Sequence, residues 1–165
     1  MPISYLPTLE HLSILAHFSG INTFPGLPEL PAISRERCAE LLPTLSEQGM
    51  IHLHREQAAV DLTLRFVLQA MAAPALVVKT QGGALGYCTR ELGVAVSADA
   101  RAPSKYRITP LPNAKELAAK LWKDLPGMQP ADFSLLRKGG GWEDARLTKT
   151  ELEAQIAQIY TEAIS

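Results

Sequence analysis

The spacing of apolar positions changes twice along this 165-residue chain. Over roughly the first 73 residues, leucines and other apolar residues recur every three or four positions, as on one buried face of a helix. Short apolar runs follow from Ala75 to Leu111, and helical spacing returns after them. This order predicts a single α+β domain, residues 1–165, with a central antiparallel sheet of four or five strands and helices packed on one face.

Helical patterns dominate the first part of the chain. The first predicted helix spans Pro7 to Phe18, and the Pro-rich loop Gly20 to Pro31 follows it as an irregular segment against the core. A helix from Gln57 to Ala73 has one apolar stripe, and a short strand from Met50 to His54 precedes it.

The second predicted helix contains a conflict. Ser34 is a good N-cap and Gly49 a good C-terminal stop. Pro43 lies inside the pattern, where it removes a backbone donor and clashes with the preceding turn. We therefore expect a kink, or two short helices broken at Leu42.

Four apolar runs between residues 75 and 111 have the composition of strands. Their connections are short, and Gly82-Gly83 supplies the positive φ angles of a tight turn. Because parallel pairing needs a crossover of about a dozen residues, the runs should form an antiparallel meander. They are Ala75 to Lys79, Ala84 to Arg90, Val94 to Ser97 and Tyr106 to Leu111.

The last part of the chain predicts two capped helices around one further strand. Asn113 and Thr148 each precede a glutamate by three positions, which is the capping-box spacing. Phe133 to Lys138 is the candidate strand, and Gly139-Gly140-Gly141 follows it as a hairpin or loop tip. The predicted core of the whole domain consists of Leu41, Leu45, Leu64, Leu68, Val77, Val96, Ile108, Leu117, Leu121 and Ile156.

Charge and composition exclude several classes of protein. The 16 basic and 17 acidic side chains nearly balance, so the chain has no overall attraction to nucleic acid or to an anionic membrane. No run approaches the roughly 20 apolar residues of a membrane span, and the N-terminus lacks the features of a secretory signal. Two cysteines, Cys38 and Cys88, are too few for a disulfide framework and are expected as buried free thiols. A cytoplasmic location is expected.

Residues capable of chemistry do not form a recognisable constellation. His52 and His54 lie on one side of the predicted strand, but the spacing supplies no further metal ligand, so solvent-facing positions are expected. Trp142-Glu143-Asp144 follows the triple glycine, and its carboxylates would repel a phosphate. Neither Gly-x-Ser-x-Gly nor a Cys–His pattern occurs. We therefore expect no enzyme activity, no cofactor and no metal.

Protein binding is the predicted function, with Tyr87, Tyr106 and Trp142 as candidate interface residues because aromatics dominate interface energetics. The alternative is a winged-helix-like DNA-binding regulator, since a Leu-rich helix runs through Gly49 toward a possible wing. Nearby basic residues favour that reading, and nearby glutamates oppose it. The basic set is Arg35, Arg37, His52, His54 and Arg55, and the acidic set is Glu36, Glu40, Glu47 and Glu56.

Three pieces together resemble the type VII (ESX) secretion-associated chaperones related to EspG and their uncharacterised Firmicute relatives. They are the loop Phe24-Pro25-Gly26-Leu27-Pro28, the stretch Leu45-x-x-x-Gly49-Met50-Ile51 leading to a helix that ends Met71-Ala72-Ala73-Pro74, and the antiparallel strands that follow. Members of that family are longer and contain two related halves, whereas this chain accommodates one. The resemblance implies a cytosolic adaptor that recognises helical secretion substrates with its sheet and loops.

Overall fold

The computed structural model of the chain describes residues 3–123, 125 and 130–161. Its first elements are α1 (Leu9–Phe18), α2 (Arg35–Glu47), β1 (Ile51–His54), β2 (Gln57–Val60) and α3 (Leu62–Ala72). They are followed by β3 (Leu76–Thr80), β4 (Leu85–Cys88), β5 (Gly93–Ala98), β6 (Tyr106–Leu111), α4 (Ala114–Lys123), β7 (Ala131–Arg137), β8 (Trp142–Leu147) and α5 (Lys149–Thr161). The predicted α+β class with a central antiparallel sheet is confirmed.

The central sheet has six strands in the order β6-β5-β4-β3-β7-β8, and all neighbours are antiparallel. The predicted meander is the part from β3 to β6. The β7–β8 hairpin extends the sheet beyond β3, so the predicted four or five strands are too few. The sequence does not predict β8, because its residues do not alternate between apolar and polar: Glu143, Asp144 and Arg146 are all exposed.

Helices cover both faces of the sheet, so the prediction of helices on one face is wrong. On one side, hereafter the α3 face, α1 and α3 pack on Val77, Tyr87 and their neighbours. On the other side, the α4 face, α4 and α5 pack on Leu76, Val78 and theirs. Leu76, Val77 and Val78 are consecutive and fully buried, which is the pattern of a strand covered on both sides. Of the predicted core, all residues are buried except Leu41, which is partly buried.

Helix α2 continues through Pro43, so the alternative of two short helices broken at Leu42 is wrong. Both ends of the helix are held by hydrogen bonds. Ser34 Oγ accepts from the Arg37 N–H at 3.1 Å, and the Met50 N–H donates to the Leu45 carbonyl at 3.0 Å around Gly49, whose φ is +73°. With both ends fixed, the helix tolerates one missing backbone donor.

The segment predicted as a helix from residue 57 divides in two. Its first four residues form β2, which pairs with β1, and α3 begins only at Leu62. Asp61 separates them as the N-cap, its carboxylate accepting from the Leu64 N–H at 3.2 Å. Arg55, with φ +57°, forms the hairpin turn. β2 has little strand propensity of its own and depends on β1 as a partner.

Truncating one leucine from each helix layer tests the two-sided core. Leu68 in α3 and Leu121 in α4 are buried against opposite faces of the sheet. Replacing either by Ala should lower the free energy of unfolding by about 2–5 kcal/mol, measured by urea denaturation. Leu62→Ala, at a side chain 81% exposed, is the control and should change it by less than about 0.5 kcal/mol. A similarly small loss at Leu68 or Leu121 would contradict the layer to which that residue belongs.

Stability should also depend on pH through His11. The Thr8 N–H donates to His11 Nδ1 at 3.2 Å, which requires a neutral imidazole, and burial together with Lys105 and Arg37 lowers the His11 pKa despite the opposing charge of Glu10. The unfolded chain therefore takes up this proton first, near its ordinary pKa of 6.5. The contribution is present above that pH and is lost as the pH falls below it.

His11→Gln is the matched variant for this prediction. Glutamine at this helix position keeps an acceptor for the cap without titrating. We expect the decrease in the free energy of unfolding between pH about 7.5 and about 5.5 to be smaller in the variant than in the unmodified chain. Identical pH dependence, measured by urea denaturation, would assign the effect to other groups.

Candidate protein-interaction surface

The three aromatic residues predicted to form an interface do not lie together. Tyr87 is fully buried, and its hydroxyl donates to the Pro25 carbonyl at 2.6 Å. It is therefore a core residue, and the prediction that it belongs to an interface is wrong. Burial raises its pKa. Tyr106 lies partly buried in β6, at one end of the sheet, and Trp142 begins β8, at the other end. Trp142 is 44% exposed and is the most accessible of these three aromatic residues.

Trp142 borders the Pro-rich loop, which lies against the core as predicted, with Phe24 buried. Gly26 in this loop has φ +86° and sits directly on the sheet. A Cβ added there would lie 2.8 Å from Leu85 Cδ2 and 3.6 Å from Trp142 Cη2. The backbone of the loop therefore packs closely between a core leucine and the exposed indole.

Two exposed apolar residues that the sequence reasoning missed lie on α3. Leu62 is 81% and Phe66 is 51% exposed, and their i,i+4 spacing puts them on one side of the helix. The opposite side of α3 is the buried stripe Leu64, Val67, Leu68 and Met71, and Ala70, 7% exposed, lies buried between the two sides. The signal was present in the sequence, because two large apolar residues fall outside the stripe that the helix needs for its own core.

A groove runs between this side of α3 and the β4–β5 turn, with a volume of about 330 Å³. We call it the α3 groove; α3 contributes Phe66, Gln69, Ala70 and Ala73, and the turn contributes Thr89 to Leu92. Ala70 and Ala73 are small, so a partner backbone can approach closely. The turn is held by Thr89, whose Oγ1 accepts from the Leu92 N–H at 3.2 Å and donates to the Leu92 carbonyl at 3.0 Å.

The rim of the α3 groove is predominantly basic. Arg90, Lys138 and Glu91 line it, and Arg65, which does not line the groove, is exposed on α3 next to Phe66. Within the described part of the chain, none of these four side chains forms an ion pair. The groove therefore offers unpaired positive charge around an apolar floor, which favours an acidic, apolar ligand.

The α2 helix and the β1–β2 hairpin have the helix-then-wing order of the DNA-binding alternative. Two of the five basic residues there, Arg37 and His52, are engaged within the chain. The Arg37 guanidinium donates to both Glu10 oxygens and to Glu40, all at 3.0 Å, which raises its pKa and lowers that of Glu10. His52 Nε2 lies 2.8 Å from an Asp61 oxygen and lowers the Asp61 pKa. Arg35, His54 and Arg55 are exposed and form no ion pair among the described residues.

The histidine pair, the triple glycine and the two cysteines are the remaining candidates that the sequence offers for binding or catalysis. His52 is engaged with Asp61, and no group of three or more His, Cys, Asp or Glu among the described residues is arranged to hold a metal. Gly139-Gly140-Gly141 connects β7 to β8 and does not precede a helix. Cys88 is buried, which raises its thiol pKa to about 12, whereas Cys38 is only partly buried. In the part of the chain described, no helix has the length and apolarity to cross a bilayer.

Comparison with known proteins assigns no family to the chain. No protein-family model matches the sequence, and no curated protein matches it significantly. Function must therefore be inferred from the α3 groove and the surfaces around it.

The packing of the Pro-rich loop can be tested by adding one methyl group. Gly20→Ala is the control, because Gly20 has a similar φ of +73° but open space around the added Cβ. It should cost about 1 kcal/mol from backbone strain alone. Gly26→Ala adds the contact with Leu85 and should cost at least about 1 kcal/mol more in urea denaturation. Equal losses in the two variants would mean that the loop does not press on the sheet.

Proposed function

We propose that this chain is a non-enzymatic, cytoplasmic protein-binding adaptor, and that its α3 groove receives an amphipathic helix of a partner protein. The observation that carries the proposal is the exposed Phe66 in the lining of the α3 groove, with Leu62 exposed one helical turn before it on the same side of α3 and unpaired Arg90 and Lys138 at the rim. Large apolar side chains grouped on one helix side, rimmed by polar residues, are typical of interaction sites.

A helix fits this groove better than an extended strand does. Leu62 and Phe66 are one helical turn apart, so they form a ridge of the kind that interdigitates with the side chains of a second helix. Covering each side chain contributes about 1.5–3 kcal/mol relative to leaving it in water. The partner helix should carry apolar residues at i, i+4 and i+7, with Asp or Glu beside them to meet Arg90 and Lys138.

The form of adaptor that we propose is a chaperone for helical secretion substrates, as the resemblance to the EspG-like proteins implies. A groove that masks the apolar side of a helix would keep such a substrate from aggregating before export. What supports this form is the kind of ligand that the groove fits, together with the Phe24-Pro25-Gly26-Leu27-Pro28 loop and the antiparallel strands of the resemblance.

Two designed helical peptides test the proposal. Both present leucines at i, i+4 and i+7; one carries flanking glutamates and the other flanking lysines. Fluorescence anisotropy should give tighter binding of the acidic peptide, and Phe66→Ala should weaken it about tenfold or more. The control is Leu53→Ala, because Leu53 is exposed on β1 but does not line the α3 groove. Equal binding of both peptides, or no effect of Phe66→Ala, would reject a helix receptor at this groove.

A heparin column separates the DNA-binding alternative from this function. Phosphate-driven binding falls steeply with salt, by about a thousandfold or more between 50 and 200 mM for six or more contacts. Strong retention at low salt that Arg55→Ala reduces would place the function at the β1–β2 hairpin. The helix receptor predicts weak retention that this substitution does not change.

A further inference from the structure

The two edge strands of the six-stranded sheet, β6 and β8, have different neighbours. At the β6 end, the N-terminal segment runs alongside the strand: Tyr5 and Ile108 exchange two backbone hydrogen bonds of 2.9 Å, and the Tyr106 N–H donates to the Pro7 carbonyl at 2.8 Å. At the other end, β8 pairs with β7 alone among the described residues. Alternate residues of β8 therefore direct backbone N–H and C=O groups outward, where a further strand can bind.

The side chains of β8 alternate between the two faces of the sheet. The register pairs Asp144 with Ser134 and Arg146 with Asp132, which places Asp144 and Arg146 on the α3 face. Both are exposed there. Ala145, between them, turns to the α4 face and packs on the core of α4 and α5. The strand therefore presents one acid and one base on the same side, separated by a single small residue.

This arrangement is complementary to itself. When two copies of one strand pair antiparallel about a two-fold axis, residues directly opposite each other point to the same face of the sheet. The axis must therefore lie midway between one residue and the same residue of the second copy. With the axis at Ala145, Asp144 lies opposite Arg146 of the second copy, and Arg146 lies opposite Asp144. An axis at Glu143, Asp144 or Arg146 would instead place like charges against each other. Only the centre at Ala145 pairs opposite charges twice.

We infer that β8 pairs antiparallel with β8 of a second copy of this chain, about a two-fold axis at Ala145, and so joins the two sheets into one. Within the described part of the chain, Asp144 and Arg146 each have one weak or neutral side-chain partner. Asp144 accepts from the Ser134 hydroxyl at 3.0 Å, and Arg146 approaches Asp132 no closer than 3.8 Å. Because six residues form a short interface, we expect association at micromolar concentration, independent of the α3 groove.

Charge reversal tests both the partner and the register. Asp144→Arg alone, or Arg146→Asp alone, puts like charges opposite each other at two places and should weaken self-association about tenfold or more. The double variant Asp144→Arg/Arg146→Asp exchanges the two positions and should restore it. An equimolar mixture of the two single variants should form a mixed dimer, because one chain then presents two bases and the other two acids.

Sedimentation velocity from about 1 to about 300 μM measures these outcomes on the full chain, a range that spans micromolar affinity. Glu143→Gln is the matched control, because Glu143 lies opposite Leu147 in this register and should leave association unchanged. Circular dichroism confirms that each variant is folded. The inference is overturned if the unmodified chain stays monomeric throughout, if both single variants associate normally, or if their mixture forms no mixed dimer.

Discussion

Burial of the inner strands on both faces is the constraint on which the rest of this molecule depends. Leu76, Val77 and Val78 follow one another in β3 and are all shielded from water. Because successive side chains point to opposite faces, one layer of helices would leave one face of the strand exposed. The chain supplies α1 and α3 for one face and α4 and α5 for the other. Because each helix uses one side to cover the sheet, its other side is available to solvent and to partners.

The α3 groove forms on the side of α3 that does not cover the sheet. The side of α3 that carries Leu68 and Met71 is committed to the core, and the side that carries Leu62 and Phe66 is not needed for folding. In the function proposed above, these apolar residues contact another molecule. Unpaired Arg90 and Lys138 beside the groove would favour an acidic partner.

The sequence could predict those parts of the fold that local chemistry determines. The meander from β3 to β6 follows from apolar runs and Gly82-Gly83, and the caps at Asn113 and Thr148 are visible as spacing. What it could not predict depends on partners distant in the chain or on packing. β2 becomes a strand only beside β1, β8 only beside β7, and α2 stays whole across Pro43 because its ends are fixed elsewhere. Of the candidate interface, Trp142 is exposed, whereas the burial of Tyr87 follows from the position of the Pro-rich loop.

The N-terminal segment beside β6 limits how far copies of this sheet can be added to one another. An antiparallel sheet open at both ends can grow strand by strand into a fibre, since each addition leaves a new edge. Here Tyr5 and Pro7 occupy the backbone groups at one end. The backbone groups of β6 that pair with this segment are therefore not free to receive another strand, and any addition at that end is limited to the short N-terminal segment itself.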